Sequence, residues 1–338
     1  MNMTYRQSIF LIAEKQGGSF VKSKMSIFMS TAILVFFLAS CSAPAKEESN
    51  PYPDKSITYS IPFEPGGQSD VEARRQQPYL EKQLGQKIVI QYKPGGGGSV
   101  GWSELTNKKP DGYFLAGINI PHIILQPLAN KDTGYRTEDI IPIAIFQATP
   151  IAIAVSKDSD IHSLEQLVQK AKASPGKITV AGSGNHTGHH MAFLQLQELA
   201  GIQMQYVPFD GAGPSIQAFL GGNTEAILAN SSDLLTYTED MKILAIGSDE
   251  TFEPMPDIPT FKEAGYKMTA SIDRGVAVPF GTDPEIIKTL EKAFLDILEE
   301  PGVKDQMYEE GFEPKTMGHK ESLKYIETKI EEYKSMYK

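Results

Sequence analysis

The sequence predicts an α/β protein that is large enough to form two lobes. Short apolar segments alternate with segments of helical periodicity from about residue 52 onward, which is the pattern of β-sheets covered by helices. About 285 residues follow that point, more than one hydrophobic core usually accommodates. Several predicted helices begin directly after a glycine-rich turn. We therefore expect two α/β lobes with glycine-containing loops at the ends of strands.

The individual elements are predicted from apolar periodicity and segment length. Strands are predicted at Ile57–Phe63, Lys87–Gln91, Tyr113–Ile118, Ile151–Val155, Ile178–Ala181, Met204–Pro208, Ala226–Ala229, Ile243–Ile246 and Gly275–Val278. Helices are predicted at Val71–Leu84, Leu164–Lys172, His190–Ala200, Pro284–Leu298 and Lys320–Tyr337. A further helix is expected to begin near Pro214, because proline is favoured in the first turn of a helix.

Residues 1–40 predict a secretory signal followed by a lipid attachment point. A basic start precedes an apolar run from Ile27 to Leu38, and this run of about a dozen residues is too short to span a bilayer, which needs about 20. The ending Leu38-Ala39-Ser40-Cys41 resembles the lipobox of bacterial lipoproteins, which predicts lipidation at Cys41. The alternative is a plain signal peptide followed by an incidental cysteine. Residues 41–51 are small and polar and are predicted to form a flexible tether.

Cysteine usage and net charge exclude several kinds of site and partner. Cys41 is the only cysteine, so the chain has no internal disulfide and no cysteine-based zinc site. Residues 1–40 carry a net charge of +3, so removing them from a total of −10 leaves the mature chain at −13. This balance disfavours nucleic acid and anionic membrane surfaces as partners. It still permits a small anionic ligand that is bound by local backbone dipoles.

Two glycine-rich loops in the first half predict an anion-binding site. Residues 62–70, Pro-Phe-Glu-Pro-Gly-Gly-Gln-Ser-Asp, link a strand to a helix, with Ser69 or Asp70 as the expected helix cap. Residues 93–101 contain four consecutive glycines after the next strand. The free amides of a helix N-terminus suit a carboxylate or phosphate. For either loop alone, a tight strand-to-helix turn is the competing interpretation.

The second half presents two similar loops at residues 181–188 and 207–215, each after a predicted strand. Ligands of open α/β sheets bind beyond the carboxyl ends of the strands. Two halves that carry such loops are therefore expected to close on one small anion.

Alternative motif interpretations fail on specific residues. The glycine tract lacks the lysine of a phosphate-binding Walker loop. Residues 96–101 match the spacing of a dinucleotide fingerprint, but a run of glycines satisfies that spacing trivially. His186 and His190 have the spacing of a zinc-binding pair, but Thr187 stands where the catalytic Glu is needed. Gly182-Ser183-Gly184 does not match a nucleophile elbow. We therefore expect neither a metal nor a cofactor, and Trp102 is expected to pack in the core.

Several motifs resemble the solute receptors of tripartite tricarboxylate transporters. They are Ile61-Pro62-Phe63-x-Pro65-Gly66-Gly67, Lys93-Pro94-Gly95-x-Gly97-Gly98, Pro110-Asp111-Gly112-Tyr113, Gly182-Ser183-Gly184, Tyr206-Val207-Pro208-Phe209, Pro259-Thr260-Phe261 and Arg274-Gly275-Val276-Ala277-Val278-Pro279. The resemblance implies a two-lobed periplasmic-binding-protein fold of type II with a carboxylic acid, often a di- or tricarboxylate, in its cleft. It also implies a monomer without cofactor or catalytic activity, which delivers its ligand to one large and one small membrane subunit. The implied lobes are residues 52–149 plus 274–338, and residues 150–273.

The resemblance also implies which residues bind the ligand. The expected set is Phe63, Gly66, Gly67, Gln68, Ser69, Gly97, Gly98, Ser99, Thr149, Ser183, Gly184, Asn185, Gly211, Ala212 and Gly213. Less strongly implied are Asn119, Pro121, His122, Asn230, Ser231 and Arg274, and Arg274 is the one cation of the set. Asp70 and Arg74 are expected to support the first loop without touching ligand. A sensory receptor for a membrane kinase and a hydrolase-type enzyme remain as alternatives at this stage.

Overall fold

The computed structural model describes residues 52–336, and side chains as far as residue 334. The predicted signal, the tether and Cys41 lie outside the described residues. Within residues 52–336, no helix has both the length and the apolar character that are needed to span a membrane.

The described chain alternates strands with helices. The strands are β1 (Ile57–Ile61), β2 (Ile88–Tyr92), β3 (Phe114–Ile120), β4 (Ile140–Ser156), β5 (Thr179–Gly182), β6 (Gln205–Pro208), β7 (Ala226–Asn230), β8 (Met241–Ile246), β9 (Ser271–Pro279) and β10 (Glu313–Met317). The α-helices are α1 (Gln68–Leu84), α2 (Ser99–Thr106), α3 (His122–Ala129), α4 (Leu164–Ala173), α5 (Gly188–Ala200), α6 (Ala212–Leu220), α7 (Ser231–Thr236), α8 (Pro284–Asp296), α9 (Val303–Glu309) and α10 (His319–Met336). Every predicted strand and helix overlaps one of these elements.

One long strand, β4, takes part in two groups of strands. Its first part, Ile140 to Pro150, pairs antiparallel with β9, which pairs in turn with β3, and β1 lies parallel between β3 and β2. Its last part, Ile151 to Ser156, pairs antiparallel with β7 and β8, and β5 lies parallel between β7 and β6. Because parallel strands share the direction of their carboxyl ends, the loops after β1 and β2 lie together, as do those after β5 and β6.

Each group of strands is covered by its own apolar core. Around the first group, Ile57, Leu80 and Phe294 belong to one buried cluster and Trp102 to another. Around the second group, Leu167 and Phe193 pack against the sheet. The indole of Trp102 is fully buried and its Nε1 donates a hydrogen bond to the Gly117 carbonyl at 2.9 Å. This confirms that Trp102 packs in the core.

The structure corrects the predicted start of α1. The helix begins at Gln68, its N-cap is Gly67, and no side chain caps it. Asp70 is the third helical residue, and its Oδ2 instead accepts a hydrogen bond from the Gly66 amide at 2.8 Å. The expected caps, Ser69 and Asp70, were therefore placed two to three residues too late. The reason is that a glycine can occupy the N-cap position and leave no sequence signal there.

Some elements had no usable pattern in the sequence. Strand β10 has the polar sequence Glu-Pro-Lys-Thr-Met and pairs with β4 at the edge of the first group of strands. Helix α9 spans only seven residues, Val303–Glu309, too few for apolar periodicity to be distinguished from chance. In such segments, tertiary contacts determine the local structure.

Candidate functional site

The loop between β1 and α1 is held in place by hydrogen bonds and an ion pair that involve Asp70. Gly66 adopts φ 81°, which favours glycine, and its amide donates to Asp70. The other oxygen of Asp70 accepts a hydrogen bond from the Tyr92 hydroxyl at 2.7 Å and pairs with Arg74 Nε at 2.8 Å. Neither Asp70 nor Arg74 lines the cavity described below. These contacts fit the expectation that both residues support the loop.

The loop before α6 presents a second helix start to the same space. Its Phe209 amide donates to the Gly182 carbonyl at 2.9 Å, which places the loop beside the end of β5. Gly211 is the N-cap of α6 and adopts φ 109°. A Cβ built on Gly211 or Gly213 would meet no atom within 4 Å. The first-turn amides of α6 are therefore accessible to a ligand.

These two helix starts line one cavity of about 140 Å³. Of the implied ligand-binding residues, the cavity is lined by Phe63, Gly66, Gly67, Gln68, Ser69, Asn119, His122, Ser183, Gly211, Ala212, Gly213, Asn230 and Arg274. Residues that the sequence did not indicate also line it: Glu64, Pro65, His189, Asp210, Pro214 and Ile272. Glu64 and Asp210 are exposed to solvent, whereas His189 is 1% exposed.

The four-glycine loop lies beside this cavity. Gly97, Gly98 and Gly184 line a neighbouring cavity of about 130 Å³, which shares Phe63 and Ser183 with the first. A Cβ on Gly98 would lie 2.4 Å from the Trp102 ring, and one on Gly97 would lie 2.3 Å from Gln126 Nε2. The glycines are thus required by the packing of Trp102 and Gln126 against the loop, a reason that the sequence alone did not supply.

Five of the implied residues line neither of these two cavities. Ser99 and Asn185 line an outer groove between the two halves of the chain. Thr149 is fully buried, and its hydroxyl accepts a hydrogen bond from Arg274 Nη1. Ser231 is also buried and donates to the Gly311 carbonyl at 2.7 Å. Thr149 therefore acts on the site only through Arg274. Pro121, the remaining less strongly implied residue, is the N-cap of α3 and does not line the cavity.

Arg274 provides a buried positive charge in the cavity wall. It is 4% exposed, and burial lowers its pKa to about 10, so the guanidinium remains charged at neutral pH. Nearby Asp233, Glu72 and Asp273 favour the charged form and partly offset that lowering. Arg274 Nε has no hydrogen-bond partner among the described residues. A buried cation with a free donor is a strong site for an anionic group.

Two histidines of the cavity are neutral. Burial lowers the pKa of His189 to about 3, and Arg274 adds to this effect. Burial also holds the pKa of His122 well below its usual value, with smaller contributions from His189 and Arg274. At neutral pH the buried part of the cavity wall therefore carries one cation and two uncharged imidazoles, and the acidic residues Glu64 and Asp210 lie on its solvent-exposed side.

His189 lines the cavity although it was not among the residues expected to bind the ligand. It is the second residue of α5, directly after the loop at residues 181–188. Like Gln68 and Ser69, which the resemblance implied, His189 is a polar residue in the first turn of a helix after a glycine-containing loop. From the sequence, capping, packing or a ligand contact was expected of His189 and the neighbouring histidines in preference to a metal role. In the described part of the chain, no cluster of three or more His, Cys, Asp and Glu side chains could hold a metal ion.

Side-chain hydrogen bonds join the two halves of the chain on both sides of the site. Gln68 Oε1 accepts from the Ser232 hydroxyl at 2.6 Å, and Gln68 Nε2 donates to Asp233. Gln126 Nε2 donates to the Asn185 carbonyl at 3.0 Å. Residues from α1 and α3 thus contact helix α7 and the loop after β5 directly.

Comparisons with known proteins agree with this architecture. Residues 72–338 match the family model described as tripartite tricarboxylate transporter family receptor. Protein BugT of Bordetella pertussis is 28% identical over 295 residues, which cover 86% of this chain and 90% of BugT.

Solved structures match over most of the chain. One described as a periplasmic transporter is 27% identical with a TM-score of 0.79, covering 83% of this chain and 95% of that one. Rpa4515 of R. palustris, solved with adipate, has a TM-score of 0.80 at 23% identity, covering 84% and 96%. Two-lobed periplasmic binding proteins therefore share this fold. Because the family model matches most of the chain, this protein belongs to the receptor family of tripartite tricarboxylate transporters.

Proposed function

We propose that this protein captures a small organic carboxylate outside the cytoplasm and delivers it to a membrane transporter. The observation that carries the proposal is the convergence of two helix N-termini, those of α1 and α6, and the buried Arg274 on one cavity. The structure of Rpa4515 with adipate supports the carboxylate class by its likeness in fold.

The electrostatics favour an anion over a neutral ligand. Each helix N-terminus stabilises a negative charge by about 0.3–1 kcal/mol, and by up to about 2 kcal/mol in partly buried sites. Arg274 adds a full charge that is shielded from solvent. A ligand with a carboxylate at one end and a second polar group at the other would interact with both the helix N-termini and Arg274. A neutral sugar would bring no negative charge to Arg274 Nε, which has no hydrogen-bond partner among the described residues.

The proposed mechanism is closure of two lobes around the ligand. The lobe boundaries that we propose are residues 52–149 plus 274–338, and residues 150–273. Supporting this division, β4 changes its pairing partners between Pro150 and Ile151. Hydrogen bonds such as that from Gln126 to Asn185 would form on closure and exclude water.

The contact between Ser183 Oγ and His189 Nδ1 supports binding better than catalysis. A serine nucleophile needs a base that accepts its proton. Burial and the neighbouring Arg274 hold the pKa of His189 at about 3, so His189 is a weak base. The Ser183–His189 pair is therefore better suited to orienting a ligand.

Attachment to a membrane belongs to the same proposal. The lipobox-like ending at Cys41 would place the protein on the outer face of a membrane through a lipid, with residues 42–51 as the tether. The partner would be the large and the small membrane subunit that the family resemblance implies, and the receptor would act as a monomer.

Thermal unfolding against a ligand panel tests the proposal. The panel contains carboxylic acids, inorganic phosphate and neutral sugars, and co-purified ligand is removed first. A ligand at about 100 times its dissociation constant stabilises the folded state by about 2.7 kcal/mol, which raises the melting temperature by several degrees. We expect such a rise with some carboxylates only. If no acid in the panel raises the melting temperature, the carboxylate assignment is wrong.

A further inference from the structure

Two acidic residues, one from each half of the chain, line the site together with Arg274. Glu64 lies in the loop after β1 and Asp210 in the loop after β6, and both line the cavity of about 140 Å³ (the first cavity). Both also line the neighbouring cavity of about 130 Å³ (the second cavity), which Arg274 does not line. The combined space is therefore acidic on the side of the second cavity and basic where Arg274 lines the first.

The two carboxylates have no structural role in the contacts around them. The helices that follow, α1 and α6, have Gly67 and Gly211 as N-caps, and no side chain caps either helix. Within residues 52–336, neither Glu64 nor Asp210 forms an ion pair with a basic side chain. Both residues are exposed to solvent. They are thus available to a group that enters the site.

The first cavity also contains buried polar atoms that lack partners. Arg274 and His122 line it and are 4% and 2% exposed. In the described part of the chain, Arg274 Nε and His122 Nδ1 have no hydrogen-bond partner. Buried polar atoms of folded proteins are rarely left unpaired, which indicates that a ligand completes these two. The acids therefore lie beside a site that takes a ligand, and Arg274 suits the carboxylate of that ligand.

The charges of the second cavity are not balanced by the protein. Glu64 and Asp210 come from opposite halves of the chain and line the same space, so two like charges approach each other there. Among residues 52–336, Arg274 is the only Lys or Arg that lines the first cavity, and none lines the second. A positive group between the two carboxylates would replace their repulsion by attraction. The second cavity therefore favours a ligand group that carries a positive charge.

Aromatic side chains adjoin both acids. Phe63 precedes Glu64 and Phe209 precedes Asp210, so each half of the chain contributes an aromatic residue followed by an acid. Phe63 and Phe209 are both partly buried, and both line the second cavity. The face of an aromatic ring attracts a cation such as an ammonium group. Two aromatic and two acidic residues together suit an ammonium group better than a second carboxylate.

We propose that the ligand is a zwitterion, with its carboxylate on Arg274 and an ammonium group at its far end between Glu64 and Asp210. This inference rests on the proposed function, since it names the class of carboxylate that the receptor captures. The ammonium group enters the second cavity, beside Phe63 and Phe209. A dicarboxylate in the same orientation would place its second carboxylate beside two like charges. Glu64 and Asp210 are then residues that determine specificity.

Acids that differ only at the far end test the proposal on the unmodified protein. Isothermal titration would compare γ-aminobutyrate with valerate and glutarate, and δ-aminovalerate with hexanoate and adipate. Within each set, an ammonium, a methyl or a carboxylate group ends a chain of the same length. We expect the ammonium member of at least one set to bind at least about tenfold more tightly than the other two members. This preference should decrease as the salt concentration rises, because the two acids are exposed to solvent.

A double substitution that removes both charges assigns the preference to the two acids. In Glu64→Gln/Asp210→Asn we expect the ratio of affinities between the ammonium and the methyl member to fall towards one, with the affinity of the methyl member unchanged. Glu253→Gln/Asp257→Asn is the matched control, since Glu253 and Asp257 are exposed acids that line neither cavity. It should keep the ratio of the unmodified protein. Circular dichroism and thermal unfolding would establish that both variants are folded.

The outcomes separate this inference from the proposed function. If valerate, hexanoate or a dicarboxylate binds as tightly as the ammonium member of its set in both sets, the zwitterion assignment is overturned and carboxylate capture remains intact. The same holds if neither ammonium compound binds while another carboxylate does. A preference that persists unchanged in Glu64→Gln/Asp210→Asn would also overturn the assignment. Binding of none of the six acids, together with no response to any other carboxylate, would reject the proposed function and the inference with it.

Discussion

Arg274 is held in the cavity wall by contacts that use only part of its guanidinium. Nη1 donates to the Thr149 hydroxyl and to the Ile272 carbonyl, whereas Nε has no partner among the described residues. A hydrogen bond to a charged group contributes about 1.5–3 kcal/mol. We therefore expect Arg274→Gln to weaken carboxylate binding by about 10- to 150-fold, as measured by isothermal titration. Arg136→Gln, at an exposed ion pair, is the control and should bind normally.

The buried carboxyl group of Glu72 gives a second prediction at the scale of the residue, on how stability depends on pH. Burial raises its pKa to about 7, with Glu310 adding to the effect and Arg75 and Arg274 opposing it. An acid whose pKa is higher in the folded state binds more protons there, so its ionisation lowers stability as pH rises from about 4.5 to 7. Unfolding at pH 5 and pH 8 should therefore show the stability of Glu72→Gln rising relative to that of the unmodified protein between the two pH values. An equal difference at both values would contradict this prediction. Comparing the two proteins cancels the contribution of the histidines, whose low pKa values act in the opposite direction.

At the scale of the element, the glycine loops show how far the sequence could predict the site. The loops after β1 and β5 were placed correctly because glycine tracts and strand patterns are local signals. The sequence could not show that the four-glycine loop accommodates Trp102 and Gln126, since these contacts depend on tertiary packing. It also could not place Thr149 behind Arg274, because that contact joins residues 125 positions apart.

Glycines of two loops should therefore respond differently to substitution. A Cβ on Gly213 would meet no atom within 4 Å, and Gly213 does not adopt a left-handed conformation, so Gly213→Val should fold normally. Its side chain would cover the first-turn amides of α6 and reduce affinity by at least about tenfold. Gly98→Ala should instead lower the melting temperature, because its Cβ would overlap the Trp102 ring at φ 102°. Calorimetric unfolding and titration of both variants would test the contrast; a destabilised Gly213→Val that binds normally would refute it.

At the scale of the whole molecule, the site exists only where the two halves of the chain meet. Its walls come from helix starts after β1, β5 and β6 and from β9, which are distant in sequence. Strand β4 connects both groups of strands, so a small change in its path would move one group relative to the other. Closure would then bring Arg274 and the α6 amides onto the ligand together. Affinity should depend on contacts that join the halves without touching the ligand.

Gln126 provides the test of this dependence. Its Nε2 donates to the Asn185 carbonyl at 3.0 Å and to the His186 carbonyl at 3.3 Å, and it does not line the ligand cavity. A net contribution of about 0.5–1.5 kcal/mol from the shorter of these hydrogen bonds predicts about a 2- to 12-fold weaker affinity in Gln126→Ala. The loss should come from faster dissociation, because the bond forms after the ligand has entered. Gln169→Ala, at an exposed contact with Glu165, is the control.

Small-angle scattering with and without ligand would complete that measurement. Closure predicts a smaller radius of gyration with bound carboxylate in the unmodified protein and in Gln169→Ala. In Gln126→Ala the same ligand concentration should leave a larger fraction of molecules open, because the closed state has lost a stabilising contact. If dissociation rates and scattering are identical in both variants, the hydrogen bond from α3 to the loop after β5 has no part in closure. The affinity of the cavity would then depend only on the groups that line it.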